Sequence, residues 1–334
     1  MSYCLVTGGA GFIGSHIVDE LILRKKKVIV LDNLSGGYKE NINPKSKFIK
    51  GSVSNSKLVD RIFKENKITH VYHLAAYAAE NLSHFIKRFN YENNLLGTVN
   101  LINNAVNHNV KCFVFTSSIA VYGDMKPPFK ETDKPVPADS YGIAKLASEE
   151  ELRISRQMFD LNYVIFRPHN VYGERQNISD KYRNVIGIFM NQILQNKPIT
   201  IFGDGKQIRA FTYVKDISGI IAQSAFMPKC WNHIFNIGSD RKTTVNEIAK
   251  HVTKLFNSKS KILHLPPRVE AKFAWSNHSL VKKYFPELKD TPINEGIERM
   301  AEWVKRWGAR ESKYFEGIEI EKKLPQAWKR INHK

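Results

Sequence analysis

The chain has 334 residues, 42% hydrophobic and 25% charged, values of a globular protein whose core needs no disulfide or metal staple. The formal net charge is +19, but the lysines are spread along the chain and over expected helix faces, so the charge reads as solvated surface and a nucleic-acid partner is not expected. Cys4, Cys112 and Cys230 form neither a CxxC nor a Cys/His zinc spacing, no apolar run reaches the ~18 residues of a membrane span, and the first residues lack a basic leader. The expectation is a cytoplasmic protein with no metal and no membrane partner.

Strand-like and helix-like stretches alternate through the first half. Residues 4–6 read as a short strand, 12–23 as a helix and 27–31 (KVIVL) as a β-branched strand; 48–49 read as a strand, 58–65 as a helix and 70–74 as a strand. A long helix over 91–107, a strand over 112–116, a helix over 140–159 and a strand over 163–166 follow. Repeated β-α-β units with near-continuous apolar strands predict an α/β protein built on a Rossmann-type, doubly wound parallel sheet. Beyond residue 168 the regularity breaks: a helix is expected over 185–195, strands over 199–202, 210–214 and 234–237, and helices over 245–256 and 295–306. This divides the chain into a dinucleotide-binding domain, 1–168, with sheet returns near 210–240, and a smaller, interleaved substrate lobe, 169–334. The tail after 308 reads as a surface wrap with Trp328 as its anchor.

Residues 8–14 (GGAGFIG) follow the first strand and open the first helix. Gly8 permits the tight turn, Gly11 lets the backbone approach a pyrophosphate, and Gly14 lets helix and strand pack closely. The helix N-terminus then offers free N–H groups and the positive end of its dipole. Asp32, at the end of the second strand, can hydrogen-bond both ribose hydroxyls of NAD and would repel the 2′-phosphate of NADP, so NAD is the expected cofactor.

Tyr141 and Lys145, spaced i, i+4 in a helix-forming stretch, share one helix face. An unperturbed tyrosine pKa of ~10 is too high for efficient base chemistry, and a neighbouring ammonium, together with a positive nicotinamide ring, would lower it. Tyr141 could then take a proton from an alcohol being oxidised. Ser118, at the end of the 112–116 strand, can donate a hydrogen bond to the same oxygen.

With these residues stand HLAA at 73–76, NNLLGT at 93–98, TSSIAVYG at 116–123, RPHNVYG at 167–173 and IFGDGKQIRAFTYVKD at 201–216. Taken together the chain resembles the extended short-chain dehydrogenase/reductases, in the nucleotide-sugar epimerase/dehydratase family, from its start to about residue 280. The resemblance implies that NAD stays bound and is used catalytically. Its expected contacts are Gly8, Gly11, Phe12, Ile13, Gly14, Asp32, Asn33, Ser35, Ser52, Val53, Leu74, Ala75, Ala76, Asn94, Thr116, Tyr141, Lys145 and Pro168. It also implies that Asn170, Asn184, Val185, Arg209 and Arg268 join Ser118 and Tyr141 in binding a nucleotide-diphosphate sugar, the arginines by forking onto phosphate oxygens. Relatives pair through the helices matching 91–107 and 140–159, so a homodimer is expected.

Positions 119–120 discriminate among the family's reactions. Dehydratases carry an acidic pair there and decarboxylases a glutamate at the second position; here stand Ile119 and Ala120. What remains, Ser118, Tyr141, Lys145 and NAD, resembles the toolkit of the UDP-glucose 4-epimerases. It implies epimerisation at C4 of UDP-glucose/UDP-galactose or the N-acetyl forms, through transient hydride transfer and a 4-keto sugar. Ala274, small at a position that sets pocket width, favours admitting N-acetyl sugars. Two departures weaken the expected hold on NAD: Gly51-Ser52 where the family has Gly-Asp, and Ala78 where 4-epimerases often have lysine. The rival readings are a different-carbon epimerase, a reductase or decarboxylase, and a non-catalytic NAD- or RNA-binding relative.

Overall fold

A computed structural model describes residues 2–267, 273–312 and 314–329. Seven parallel strands form the central sheet: β1 (Ser2–Thr7), β2 (Val28–Asp32), β3 (Lys47–Lys50), β4 (Lys67–His73), β5 (Cys112–Thr116), β6 (Tyr163–Pro168) and β7 (His233–Ile237), in the order β7-β6-β5-β4-β1-β2-β3. The chain builds outward from β1 to β3, then crosses back to β4 on the other side of β1. The C-terminal ends of β1 and β4 therefore face a crevice at the switch point, where ligands bind in open α/β sheets.

Both faces of the strands are apolar because both are covered. Leu5, Ile29, Leu31, Val71, Phe113, Phe115 and Ile165 pack toward α2 (Ser56–Glu65), α3 and α4 (Ser140–Phe159). Here α3 denotes the continuous helix of Lys87–Tyr91, a π turn at Glu92–Leu96, and Gly97–Asn107. The alternate residues Cys4, Val6, Val28, Val30, Tyr72, Val114 and Phe166 pack toward α1 (Phe12–Leu23) and join a core that includes Phe189, Met190, Ile248 and Val304 of the second lobe. One continuous core thus joins residues from both halves of the chain. The second lobe adds α5 (Val185–Leu194), α6 (Val214–Ser224), α7 (Val245–Leu255), α8 (Ile293–Trp307) and three small sheets.

Three expectations are corrected. Helix α3 starts at Lys87 rather than residue 91; its polar first turn is recruited by tertiary bonds, such as Asn90 Nδ2 to the Ser140 carbonyl at 2.8 Å. The strand expected over 210–214 divides between Ile208–Ala210 and Thr212–Tyr213, which pair with two different small sheets and not with the central one. Val214 instead opens α6, a helix absent from the sequence reading, whose Ile217, Ile220 and Ile221 lie at helical spacing and are buried. The tail behaves as read: Trp328 is buried, edge-on to Tyr182 and Phe85.

Candidate active site

The glycine turn is built by exclusion. Gly8 has φ of 71°, in the left-handed region, and a Cβ there would lie 2.7 Å from Ala75 N. A Cβ on Gly14 would lie 2.1 Å from the Gly8 carbonyl oxygen. Gly14→Ala is therefore expected to open the turn, lowering the melting temperature and releasing NAD on gel filtration; a variant that keeps both would contradict this account. Gly11 is the N-cap of α1 and supplies no side-chain cap, so the first N–H groups of the helix are left to the crevice. Asp32 accepts N–H bonds from Ala10 at 3.0 Å and Leu34 at 2.7 Å. It thus ties the turn to β2 while still lining the cleft, and burial raises its pKa against those bonds.

The cleft, about 780 Å³, runs from this turn into the second lobe. Of the residues expected to bind NAD, Gly8, Gly11, Phe12, Ile13, Gly14, Asp32, Asn33, Ser35, Ser52, Val53, Leu74, Ala75, Ala76, Thr116, Tyr141, Lys145 and Pro168 all line it. Asn94 does not; it lies behind the wall, where its Oδ1 accepts Tyr77 N at 2.8 Å and its Nδ2 bonds Asn90 Oδ1 at 2.7 Å. Asn94 therefore fixes the backbone of a lining residue. Ser118, Asn170, Asn184, Val185 and Arg209 line the second half, whereas Arg268 lies outside the described residues.

Helix α4 begins where Asp139 Oδ1 caps Gly142 N at 2.7 Å, which sets the rotation that turns Tyr141 and Lys145 toward the end of β5. Lys145 Nζ donates to the Thr116 carbonyl at 2.8 Å and sits 4.6 Å from the Phe115 ring centre. Burial lowers its pKa to about 7, against the pull of the Glu149 carboxylate one turn further along the helix. Ser118 Oγ accepts Ala120 N at 3.1 Å, leaving its proton to donate. The Tyr141 phenol is nearly fully buried, and burial, then the Glu80 charge, hold its pKa above the ordinary value. A hydrogen bond with Ser118 and the Arg183 charge act the other way. The expected lowering of the Tyr141 pKa is thus not found in the protein alone: desolvation dominates, and the cation acting against it is Arg183 rather than Lys145.

Sequence reasoning missed Arg183, Glu80 and Gln176, all of which line the cleft. Arg183 is ion-paired to Asp180 at 2.5 Å and stacked 4.7 Å from the Tyr77 ring centre; its place just before Asn184 was the available signal. Gln176 is buried with neither side-chain polar atom partnered. Ile119 and Ala120 line the cleft in a short 3-10 turn, and neither can transfer a proton.

An uncapped helix end, a glycine cradle that Cβ atoms would fill, a ribose-seeking carboxylate and the buried, unpartnered Thr116 Oγ1 fit a dinucleotide. Together with the Tyr141/Lys145 face they define an NAD-using enzyme of Rossmann type. More narrowly, the chain belongs to the NAD dependent epimerase/dehydratase family, whose model matches residues 4–238. A putative UDP-glucose 4-epimerase of Methanocaldococcus jannaschii is 36% identical over 312 residues, covering 90% of this chain and 98% of that protein. The UDP-glucose 4-epimerase of Thermotoga maritima, solved with UDP-glucose, superposes with a TM-score of 0.86 at 33% identity, covering 92% of this chain and 99% of the other. That of Thermus thermophilus, solved with NAD, gives 0.84 at 32%, covering 91% and 98%. The expected family, fold and cofactor are borne out. Among the described residues no cluster could hold a metal, and no helix is long and apolar enough to cross a membrane.

Proposed function

We propose that the protein interconverts the C4 epimers of a nucleotide-diphosphate sugar, UDP-glucose and UDP-galactose or their N-acetyl forms. The observation that carries this is the convergence of Ser118, Tyr141 and Lys145 on one cleft wall, beside positions 119–120 that hold no acid or base. The residues of 1–168 grip the dinucleotide and those of 169–334 the sugar nucleotide.

NAD, when bound, supplies the hydride acceptor and returns the hydride. Tyr141 takes the proton of the sugar 4-hydroxyl and later gives it back. Ser118 donates to the same oxygen and holds it in line as the 4-keto sugar turns over. Lys145 supplies a cation within the dry pocket, and Arg183 adds a second charge that favours the phenolate. Asn184 and Val185 meet the nucleotide and Asn170, Arg209 and Arg268 anchor the diphosphate, so the sugar itself is held loosely enough to present either face. Ala274 lines the cleft and leaves room for an N-acetyl group.

Proton NMR of the enzyme with UDP-glucose and UDP-N-acetylglucosamine, without added reductant, should show a second anomeric signal growing to an equilibrium mixture. Net consumption of added reduced cofactor, or no change in any sugar, would refute the assignment.

Lys145 gives a test by pH. Its pKa in the fold, about 7, lies below the ~10.4 of an unfolded lysine, so the unfolded chain binds more protons between these values. The cost of burying the ammonium is present in full below pH 7 and is relieved as pH rises. Lys145→Met should lose turnover yet resist urea better than wild type at pH 6.5, with the advantage shrinking by pH 9.5.

The reading includes a cytoplasmic homodimer. Leu96 on α3 and Ile143, Ile154, Met158 and Phe159 on α4 are exposed apolar side chains on the two helices expected to pair. Light scattering should give twice the monomer mass, and Ile154→Glu should halve it.

A further inference from the structure

We propose that His169 and His278 form one hydrogen-bonded unit that carries an extra proton, and that this buried cation belongs to the wall holding the diphosphate of the sugar nucleotide. The second half of the proposal rests on the function assigned above. His169 follows β6 and lines the cleft between Pro168 and Asn170; His278 precedes a short helix, Ser279–Tyr284. Their Nε2 atoms are 3.0 Å apart. The outer nitrogens are engaged as well: His169 Nδ1 lies 2.9 Å from the Ala210 carbonyl oxygen, and His278 Nδ1 lies 2.6 Å from Asp240 Oδ1.

Counting protons decides the charge. A carbonyl oxygen only accepts, so His169 Nδ1 bears a proton. The Asp240 carboxylate is half-exposed, is shared with Lys282 Nζ, and is held well below the usual carboxylate range, so it too only accepts and His278 Nδ1 bears a proton. The short Nε2–Nε2 contact needs a third proton between the rings. Two neutral imidazoles hold two, so the pair holds one more and carries a single positive charge. Turning either ring over would put a carbon against an acceptor, which excludes the alternative placements. His169 Nδ1 faces only a neutral carbonyl, whereas His278 Nδ1 faces the Asp240 carboxylate, so the third proton is assigned to His278, beside Asp240.

The surroundings keep this charge inside. His169 is 2% exposed and the His278 side chain 0%. A Cβ on Gly238 would lie 2.4 Å from His169 Nε2, so only glycine admits the pair. The groups facing it are Asp240 and Lys282 from the His278 side and the Thr212 hydroxyl, 3.5 Å from His169 Nδ1. One step further, Asp290 is held by Ser239 Oγ at 2.6 Å and by Arg241 at 3.4 Å. Since Lys282 already shares Asp240, the carboxylate does not cancel both cations. On the cleft side, Ala210, whose oxygen also accepts Asn170 Nδ2 at 3.1 Å, directly follows Arg209. The pair's cleft-side ring, His169, therefore stands among the residues expected to meet phosphate, with His278 directly behind it.

The pair's proton is tested on the wild-type enzyme by long-range proton–nitrogen spectra of labelled histidine. One ring with both nitrogens protonated should persist at pH 7.5, above the ~6.5 at which free histidine titrates; two neutral rings would overturn the proposal. Its role is tested by calorimetric binding of UDP between pH 7 and 9, where the terminal phosphate, with its second pKa near ~6, is already ionised. Affinity should fall on the order of tenfold as the pair loses its proton, the scale of one buried charge nearby. The double variant His278→Gln/Asp240→Asn keeps a neutral chain of donors to His169, and should bind UDP with the weaker affinity throughout and without the pH slope. Equal affinity and slope in both proteins would overturn the role. An enzyme that shows the charged ring but binds no UDP would overturn the diphosphate role together with the sugar-nucleotide reading, while the spectra would still establish the extra proton.

Discussion

Replacing Tyr141 by Phe is expected to lower kcat by about 10³-fold or more, within the range typical of a positioned proton-transfer group. The change deletes one buried hydroxyl, whose partner Ser118 stays engaged with Ala120 N, so the fold and the NAD content should survive. NMR-monitored turnover and the cofactor released on acid denaturation measure the two separately. Loss of rate with NAD retained is the expected pattern. Wild-type turnover in Tyr141→Phe would remove the phenol from the chemistry and the proposed mechanism with it.

The second large effect concerns stability. Arg167 and Glu149 form an ion pair between β6 and α4 with both side chains essentially buried; Arg167 Nε meets Glu149 Oε1 at 3.0 Å and Nη2 meets Oε2 at 2.5 Å. Ser117 Oγ donates to the same carboxylate at 2.5 Å, and Arg167 Nη1 donates to Tyr122 OH at 2.7 Å. This network ties down the turn that presents Ser118. Arg167→Leu would strand a buried carboxylate, which costs about 3–5 kcal/mol. For a chain this size that corresponds to a fall of roughly 4–7 °C in melting temperature. Replacing both partners, Arg167→Met with Glu149→Leu, should recover most of the loss, because two desolvated charges are removed together. The double variant should still be altered in rate: without the Glu149 charge, the pKa of Lys145 falls further, and the pH profile of kcat should move toward lower pH. A double variant with an unchanged profile would make Glu149 purely structural.

Some of this was legible in the residues. The glycine turn, the β-branched strands and the Tyr141–Lys145 spacing are short-range patterns, in which backbone sterics and helix periodicity act over a few neighbours. They defined the sheet and the cofactor and set Tyr141 and Lys145 on one helix, and α1, β5 and α4 lie over the expected spans. Even Asp32 was readable, though its grip on Ala10 N was not.

What only the tertiary structure decided are juxtapositions across long separations and the electrostatics they create. Asn94 carried a family-like motif, yet the π turn of α3 places it behind the cleft, on the backbone of Tyr77. The neighbouring Asn184 hints that Arg183 meets the cleft, but nothing local sets its charge beside Tyr141 or marks Arg167 as the buried partner of Glu149. His169 and His278 lie 109 positions apart, and neither has a neighbour in sequence that hints at the other. Burial reverses the simplest expectation for Tyr141 and Lys145, raising the tyrosine and lowering the lysine, because the cost of desolvating a charge depends on the whole packed environment rather than on the spacing of two residues.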